Sequence, residues 1–464
     1  MNALWTASEA ASATGGKAFG NWEAQGISID TRTLEKDDLF VALKGDNRDG
    51  HCFVPSALEK GAGAAMVIDP PPGLAESAPL LVVDDTLSGL EALGCASRAR
   101  SLASILAVTG SAGKTTTKEM LRLTLEGQGK VAASVASYNN HWGVPLSLAR
   151  MARDTAYGVF EIGMNHEGEI RALVSQARPH LVVVTTIAPA HLEYFGTLEA
   201  IADSKAEIFE GLEPGGIAIL PLDNPQFARL NKRARECGVE NIASFGTSEG
   251  ADARLLVSKI VGDKQIIAAE IRGRKIELTL NAHGAHIASN ALAVLLAVEG
   301  LGVDLERAAQ ALGTFTPLTG RGARVTLGDI ELIDESYNAN PASMRAALDL
   351  LKATNPQSGG RRIAVLGEML ELGTDGPALH CAIAKDIAEN MVDLVFLCGS
   401  QMKDLWDVLP GDCRGAYSEN SMHLKEPFLK QLRSGDIILV KGSFGSRMSV
   451  IIEALKSRAV VETA

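Results

Sequence analysis

Residues 105–120 read Ile105-Leu-Ala-Val-Thr-Gly-Ser-Ala-Gly-Lys-Thr-Thr-Thr-Lys-Glu-Met120. An apolar run long enough for one strand enters a glycine-rich turn and then a helix-forming stretch headed by Lys114 and Thr115. Gly110 and Gly113 let backbone N–H groups face an anion, Lys114 supplies a point charge for β/γ-phosphates, and the Thr115 hydroxyl suits Mg²⁺ at a helix N-terminus. Thr109, Gly110, Ser111, Ala112, Gly113, Lys114, Thr115 and Thr116 are therefore expected to cradle the phosphates of ATP or GTP. Val108 stands where the common G-x-x-x-x-G-K-[ST] pattern has its first glycine.

Outward from this turn, apolar runs alternate with amphipathic stretches. Strands are expected at 105–109, 157–162, 181–187 and 216–220, and helices at 114–127, 167–177, 198–212 and 224–236. Such alternation predicts a mainly parallel sheet with helices on its faces. Residues 254–280 read as a β-rich interruption, and helices at 287–299 and 304–312 close the block. Residues 27–83 carry shorter apolar runs and helical stretches, a small α/β pattern. After the turn-rich stretch from Thr314 to Gly322, a hairpin around Gly328-Asp329 precedes strands at 363–366, 393–398 and 437–441, again separated by helical sequence. The expected fold is α/β in three domains: a small α/β N-terminal domain over 1–84, a central P-loop ATPase with a mainly parallel sheet over 85–315, and a C-terminal Rossmann-like α/β domain over 316–464.

The net charge of −12, from 44 basic and 56 acidic residues, argues against general nucleic-acid or anionic-membrane binding. The cysteines (Cys52, Cys95, Cys237, Cys381, Cys398 and Cys413) form no C-x-x-C pair, which fits reduced thiols in a cytoplasmic protein. The chain start lacks a basic region followed by an apolar core, and nowhere do 18 apolar residues run together, so neither export nor a membrane span is expected.

Three residues of the central block are candidates for chemistry. Glu161 ends the apolar strand Tyr157-Gly-Val-Phe-Glu161, and active groups of open α/β sheets gather at the carboxyl ends of strands. A carboxylate there can hold Mg²⁺ or a water bound to it, although a Glu at a strand end, taken alone, is more often a solvated rim residue. His191 follows the strand at 181–187 and by itself reads as structural. Lys205, in Ser204-Lys-Ala-Glu-Ile-Phe209 on an amphipathic helix, reads on pattern alone as an exposed lysine.

Together these segments resemble the Mur ligases. The resemblance runs over nearly the whole chain: Asp30-Thr-Arg32, Asp38-Leu-Phe-Val-Ala-Leu-Lys-Gly45 and Asp49-Gly-His51; Thr109 to Thr116; Ser137-Tyr-Asn-Asn-His141; Glu161-Ile-Gly-Met-Asn-His166; Ser204-Lys-Ala-Glu207; His286 with Asn290; Gly320-Arg-Gly322; Asp334-Glu-Ser-Tyr-Asn-Ala-Asn-Pro341; and Gly367-Glu-Met-Leu-Glu-Leu-Gly373. It implies that ATP phosphorylates the terminal carboxylate of a UDP-N-acetylmuramoyl-tripeptide and that the amine of D-Ala-D-Ala attacks the acyl phosphate. It further implies that Lys114 and the loop hold the phosphates, Thr115 and Glu161 one Mg²⁺, and His191 with a carbamylated Lys205 a second. His286 and Asn290 would face the adenine, Arg321 the γ-phosphate and Asp334 the ribose. Asn338 and Asn340 would meet D-Ala-D-Ala or ATP, and Ser28, Asp30, Thr31, Arg32, Asn47 and His51 the UDP-linked peptide. A cytoplasmic monomer is expected.

Several residues keep a plainer alternative. Arg32 reads equally as an ion-pair partner of Asp30, and the Asn-rich turn before Pro341 reads equally as a helix cap. In Lys441-Gly-Ser-Phe-Gly-Ser-Arg447, Phe444 replaces an expected basic residue. Three other functions stay open: the neighbouring Mur ligase that adds the third amino acid, a folate-polyglutamate-type ligase, and a nucleotide switch. The first pattern carries Asp-Asn-Pro-Arg, only partly matched by Asp223-Asn-Pro-Gln226; the second has no need of the N-terminal Asp-Thr-Arg segment; the third needs an Asn-Lys-x-Asp motif that the chain lacks.

Overall fold

The computed structural model describes residues 3–45, 48–75, 77–357 and 359–462. Asn47 lies outside the described residues. Besides a two-stranded antiparallel ribbon of Trp5–Thr6 and Glu23–Ala24, three larger sheets organise the described residues, each mainly parallel and each closed by an antiparallel edge. The first has five strands in the order Lys17–Phe19, Leu80–Val82, Ala64–Val67, Asp38–Val41, Gly26–Ser28, and only its first pair is antiparallel.

The central sheet has nine strands. From one edge its order is Val131–Ala133, Tyr157–Glu161, Ser104–Thr109, Leu181–Val184, Ile217–Pro221, Asn241–Gly246, Ala253–Val261, Lys264–Ile271 and Arg274–Leu280. The inner strands are continuous apolar runs because helices cover both faces and leave no solvated side. One face packs on the helices Lys114–Glu126, Ala285–Gly300 and Leu305–Leu312, the other on Glu169–Ala177, Leu198–Ala206 and Phe227–Glu236. Ala285–Gly300 is apolar almost all round and is correspondingly enclosed.

Two expectations are corrected here. Residues 254–280 do not interrupt the sheet: Ala253–Val261 pairs parallel with Asn241–Gly246, and two antiparallel strands then extend the same sheet. The helix expected over 198–212 ends at Ala206 and tightens into a 3₁₀ turn over Glu207–Gly211, where the Glu207 carboxylate turns away to accept from the backbone N–H groups of Gly168 and Arg171.

The last sheet runs Ala323–Leu327, Ile330–Glu335, Ile437–Lys441, Arg362–Gly367, Leu394–Cys398, Arg414–Ser418, with the antiparallel hairpin turning at Gly328 as expected. Register is what assembles chemistry in these sheets. Glu161 lies opposite Val108 and Val184 opposite Thr109, so three neighbouring strands deliver their carboxyl ends to one line. In the third sheet Lys441 lies between Glu335 and Leu366 in the same way.

Candidate active site

At the end of Ser104–Thr109 the chain turns sharply. Gly110 has φ of 146°, and a Cβ there would come within 1.9 Å of the Thr185 hydroxyl, so only glycine fits. Gly113 has φ of 83°, and its missing Cβ leaves room for the Asn290 amide. The loop is stitched to the neighbouring strand end: Ser111 N donates to the Thr186 carbonyl (2.8 Å), Ser111 Oγ to that of Ala188 (2.9 Å), and Thr185 Oγ1 to that of Ala112 (2.5 Å). Gly113 starts the helix Lys114–Glu126 without a side-chain cap, so the first amides of that helix stay free for an anion. Lys114 Nζ folds back onto the Gly110 carbonyl (2.8 Å). Burial draws its pKa down against the opposing pull of Glu161, and the Arg321 charge adds to the fall.

Glu161 is buried, and both its oxygens are occupied. Oε2 accepts from Thr115 Oγ1 and Oε1 from Asn139 Nδ2, each at 2.7 Å. The segment bearing Asn139 is itself anchored by buried Lys118, which donates to the carbonyls of Ser134 (2.7 Å) and Ala136 (3.0 Å).

Lys205 departs most from its helix pattern. It is 1% exposed, its ammonium makes no hydrogen bond or ion pair among the described residues, and burial, reinforced by the nearby Lys114 charge, drives its pKa well below the ordinary lysine value. His191 sits at φ of 59°, and its Nδ1 lies against the carboxylate of Glu371 from the third domain.

Third-domain groups reach the cradle at further points. Arg321 donates to Ser137 Oγ (2.9 Å) while its guanidinium stacks 4.0 Å above the Tyr337 ring. Asn340 caps the helix Pro341–Ala353 by accepting from Ser343 N (2.8 Å), and its amide donates to the Ser111 carbonyl (3.3 Å). The cap expected of the Asn-rich turn is therefore present, and the same side chain touches the phosphate loop. Lys441, buried, donates to Glu335 (3.2 Å) and to the Asn338 carbonyl (2.9 Å).

Between the central and third domains these groups enclose a cavity of about 680 Å³. Its walls include Ser111, Lys114, Glu161, His191, Asn290 and Arg321, and it also takes in Ala112, Gly113, Thr116, His286, Asn338 and Asn340. The amide nitrogen of Asn290 is buried there without a hydrogen-bond partner. His286, one turn earlier, has its pKa lowered by burial against the opposing pull of Glu335.

Residues 23–111 match the model of the Mur ligase family catalytic domain, 108–298 that of the Mur ligase middle domain, and 320–444 that of the Mur ligase glutamate ligase domain. The chain is 33% identical to the UDP-N-acetylmuramoyl-tripeptide–D-alanyl-D-alanine ligase of Rickettsia prowazekii, over 97% of this chain and 99% of that one. The chain belongs to the Mur ligase family. This Mur ligase is also 34% identical to the enzyme of the same name from Synechocystis, over 92% of this chain and 91% of that one. Its fold matches the crystal structure of MurF from Acinetobacter baumannii with a TM-score of 0.86 and 31% identity, over 98% of this chain and 99% of that one.

Not every expected residue of the Mur ligase reaches the cavity. Thr109, Gly110, Thr115 and Lys205 are not among its lining residues, nor is Asp334, whose carboxylate accepts from Ser336 N (3.1 Å) and Oγ (2.6 Å). Ser28, Asp30, Thr31, Arg32 and His51 form a separate group on the first domain. There Arg32 donates to Asp30 through Nε (2.9 Å) and Nη2 (2.5 Å), the ion-pair alternative, and holds that carboxyl at about 2. Ser28 Oγ donates to the Asp30 carbonyl (3.0 Å), and His51 Nε2 accepts from Ile68 N (2.9 Å). The group adjoins the central domain at Arg150, which donates to the Ile27 carbonyl (2.6 Å).

Sequence reasoning gave no role to Asn139, Asn224, Lys441 or Glu371. Asn139 and Glu371 stand inside quoted segments, and only the folded geometry separates them from their neighbours. Asn224, from the partly matching Asp-Asn-Pro-Gln, lines the cavity and donates to Thr186 Oγ1 (3.1 Å) and the Ile187 carbonyl (2.9 Å).

Proposed function

We propose that this Mur ligase uses ATP to join D-Ala-D-Ala to UDP-N-acetylmuramoyl-tripeptide through an acyl phosphate. The observation that carries the proposal is the convergence, on one cavity, of an uncapped phosphate cradle, the Thr115–Glu161–Asn139 cluster and the third-domain cations Arg321 and Lys441. A carboxylate does not react with an amine because its oxide leaves poorly. Phosphorylation bonds one carboxylate oxygen to the γ-phosphorus as ADP departs, and the amine nitrogen then bonds the carbonyl carbon as phosphate departs with that oxygen.

Lys114 and the free amides of Gly113–Thr116 hold the β/γ-phosphates and spread their charge. Arg321, on a turn between the domains, adds a planar cation at the γ-phosphate. Asn290 offers its unpartnered amide, and His286 its ring, to the adenine. Closure of the third domain on the cradle excludes the water that would hydrolyse an acyl phosphate. In this proposal Asp334 serves the ribose, Asn338 and Asn340 the dipeptide or ATP, and the Ser28, Asp30, Thr31, Arg32, Asn47 and His51 group the UDP-linked peptide. The domains divide the work as peptide holder (1–84), ATP site (85–315) and closing, acceptor-binding domain (316–464), in a cytoplasmic monomer.

The donor set fits Mg²⁺ in the manner of a phosphate-transfer enzyme. Among the described residues no three His, Cys, Asp or Glu side chains form a ready nest, and Mg²⁺ at such sites takes only one or two protein oxygens besides phosphate. Thr115 and Glu161 would hold one ion. His191 and Lys205 would hold another, provided Lys205 carries a carbamate. Burial without a counter-charge favours the neutral amine, the form that adds CO₂, and the product would supply the anionic oxygen that a hard cation prefers. Mg²⁺ held by these residues would supply positive charge to offset that of the phosphates.

Phosphate release from ATP, with UDP-muramoyl-tripeptide present and the acceptor varied, tests the proposal. Release that requires D-Ala-D-Ala, with a pentapeptide product by mass, is expected. Release with a single diamino acid and the dipeptide precursor would instead assign the neighbouring ligase activity, and release with a folate substrate alone the folate-type one.

A further inference from the structure

The contact between His191 and Glu371 joins two residues that are both held in an unfavourable backbone conformation. His191 has φ of 59° and Glu371 φ of 62°, a region that costs non-glycine residues about 1 kcal/mol or more each. Neither is a glycine, although glycine would relieve the strain.

The segment bearing Glu371 is clamped on every side. Met369 N donates to buried His380 Nε2 (2.9 Å), Leu370 N to Ser443 Oγ (2.9 Å), and Ser443 N to the Glu368 carbonyl (2.9 Å). The Glu371 carbonyl in turn accepts from Glu193 N of the central domain (3.1 Å), and a Cβ on Gly373 would come within 3.1 Å of the Glu193 Cα. Glu371 is thus delivered to His191 by a rigid third-domain loop docked directly on the residues that follow His191.

We infer that Glu371 is the positioning residue for His191, supplied across the domain boundary, so that the His191 metal position is completed only when the third domain is docked. Nδ1 is buried and makes no hydrogen bond in this structure, and the Glu371 carboxylate is the charge beside it, which favours the tautomer with the ring proton on that nitrogen. Nε2 is then left with the lone pair that a cation needs, and the carboxylate raises its basicity. A protein open at this boundary lacks the fixed tautomer and ring orientation, and therefore binds its second ion weakly. ATP is in that way kept from reacting before water is excluded. This inference rests on the proposed role of His191 as a metal ligand.

The test uses Mn²⁺ as the probe, titrated into the full chain with a non-hydrolysable ATP analogue and UDP-muramoyl-tripeptide, and followed by electron paramagnetic resonance. Glu371→Ala should weaken the second Mn²⁺ by about 10- to 100-fold and leave the first unchanged. Glu371→Gln, which keeps an acceptor for the Nδ1 proton, should lose less. In steady state with Mg²⁺, kcat should fall while KM for ATP stays level. Equal Mn²⁺ affinity in Glu371→Ala and wild type, with loss in His191→Ala, would overturn the positioning role and leave the His191 assignment standing. Wild-type affinity in His191→Ala as well would remove that assignment and the inference with it. Melting curves of both Glu371 variants separate these outcomes from misfolding.

Discussion

The central domain and the third domain meet the same cavity in different ways. The central domain's cradle is complete within itself: glycine geometry, stitched loop, free helix amides and the Thr115–Glu161 pair all follow from one turn and the register of three adjacent strands. The third domain contributes isolated side chains, Arg321, Asn340, Lys441 and Glu371, from four separate segments, and three of them touch central-domain groups directly. The central domain's share of the cavity is thus built by one fold, whereas the third domain's share depends on the contact between two. Substitutions on the cradle side should abolish turnover outright, and those on the docking side should lower it in steps.

Lys114→Ala should give the largest effect, a loss of about 10⁴-fold in turnover with UDP-tripeptide affinity retained, because it removes the fixed charge at the phosphates. Substantial ligation by that variant, in a phosphate-release assay, would break the comparison at its strong end. Arg321→Ala should cost on the order of 10³-fold in kcat, and Arg321→Lys should recover little, since a point charge does not replace the planar fork.

Lys205→Ala should also be inactive and be partly restored by short carboxylic acids that supply the missing oxygen. Its counterpart Lys205→Met should melt higher than the unmodified parent. The folded-state pKa of Lys205 is depressed, so below the ordinary lysine value folding is opposed by the need to shed a proton, and an apolar chain of similar size removes that opposition. A lower melting point for Lys205→Met would contradict the account of its burial. Asn340→Ala should destabilise by about 1 kcal/mol through loss of the helix cap, measured by denaturant unfolding, with a modest fall in kcat from the lost contact to Ser111.

The smallest effect is expected far from the cavity. Arg32→Ala should move the Asp30 titration, followed by NMR, from about 2 toward 3.8. The depressed folded value means that this ion pair supports folding above pH 3.8 and ceases to do so as the pH falls toward 2, so stability of the variant should fall slightly less steeply with pH in that window. An unmoved titration would mean that Asp30 is held by its turn alone.

What was legible in the chain follows the same division. The cradle could be read because its mechanism is local, with strand, turn and helix consecutive in sequence. Glu161 could be read because parallel register brings a strand end beside the turn. The burial of Lys205 could not, since amphipathic spacing tells which residues share a helix face and says nothing of what packs over that face. Residues 254–280 carried the right alternation, but a strand pattern does not name the edge to which it adds. Glu371 and Asn139 became meaningful only through contacts spanning 180 and 22 positions.

The most direct measurement is oxygen transfer. UDP-muramoyl-tripeptide labelled with ¹⁸O in its terminal carboxylate is incubated with ATP, D-Ala-D-Ala and the enzyme, and the released phosphate is analysed by mass. If the cradle activates the carboxylate for the docked acceptor, each amide formed places one ¹⁸O in phosphate. Amide formation with unlabelled phosphate would contradict the acyl-phosphate route.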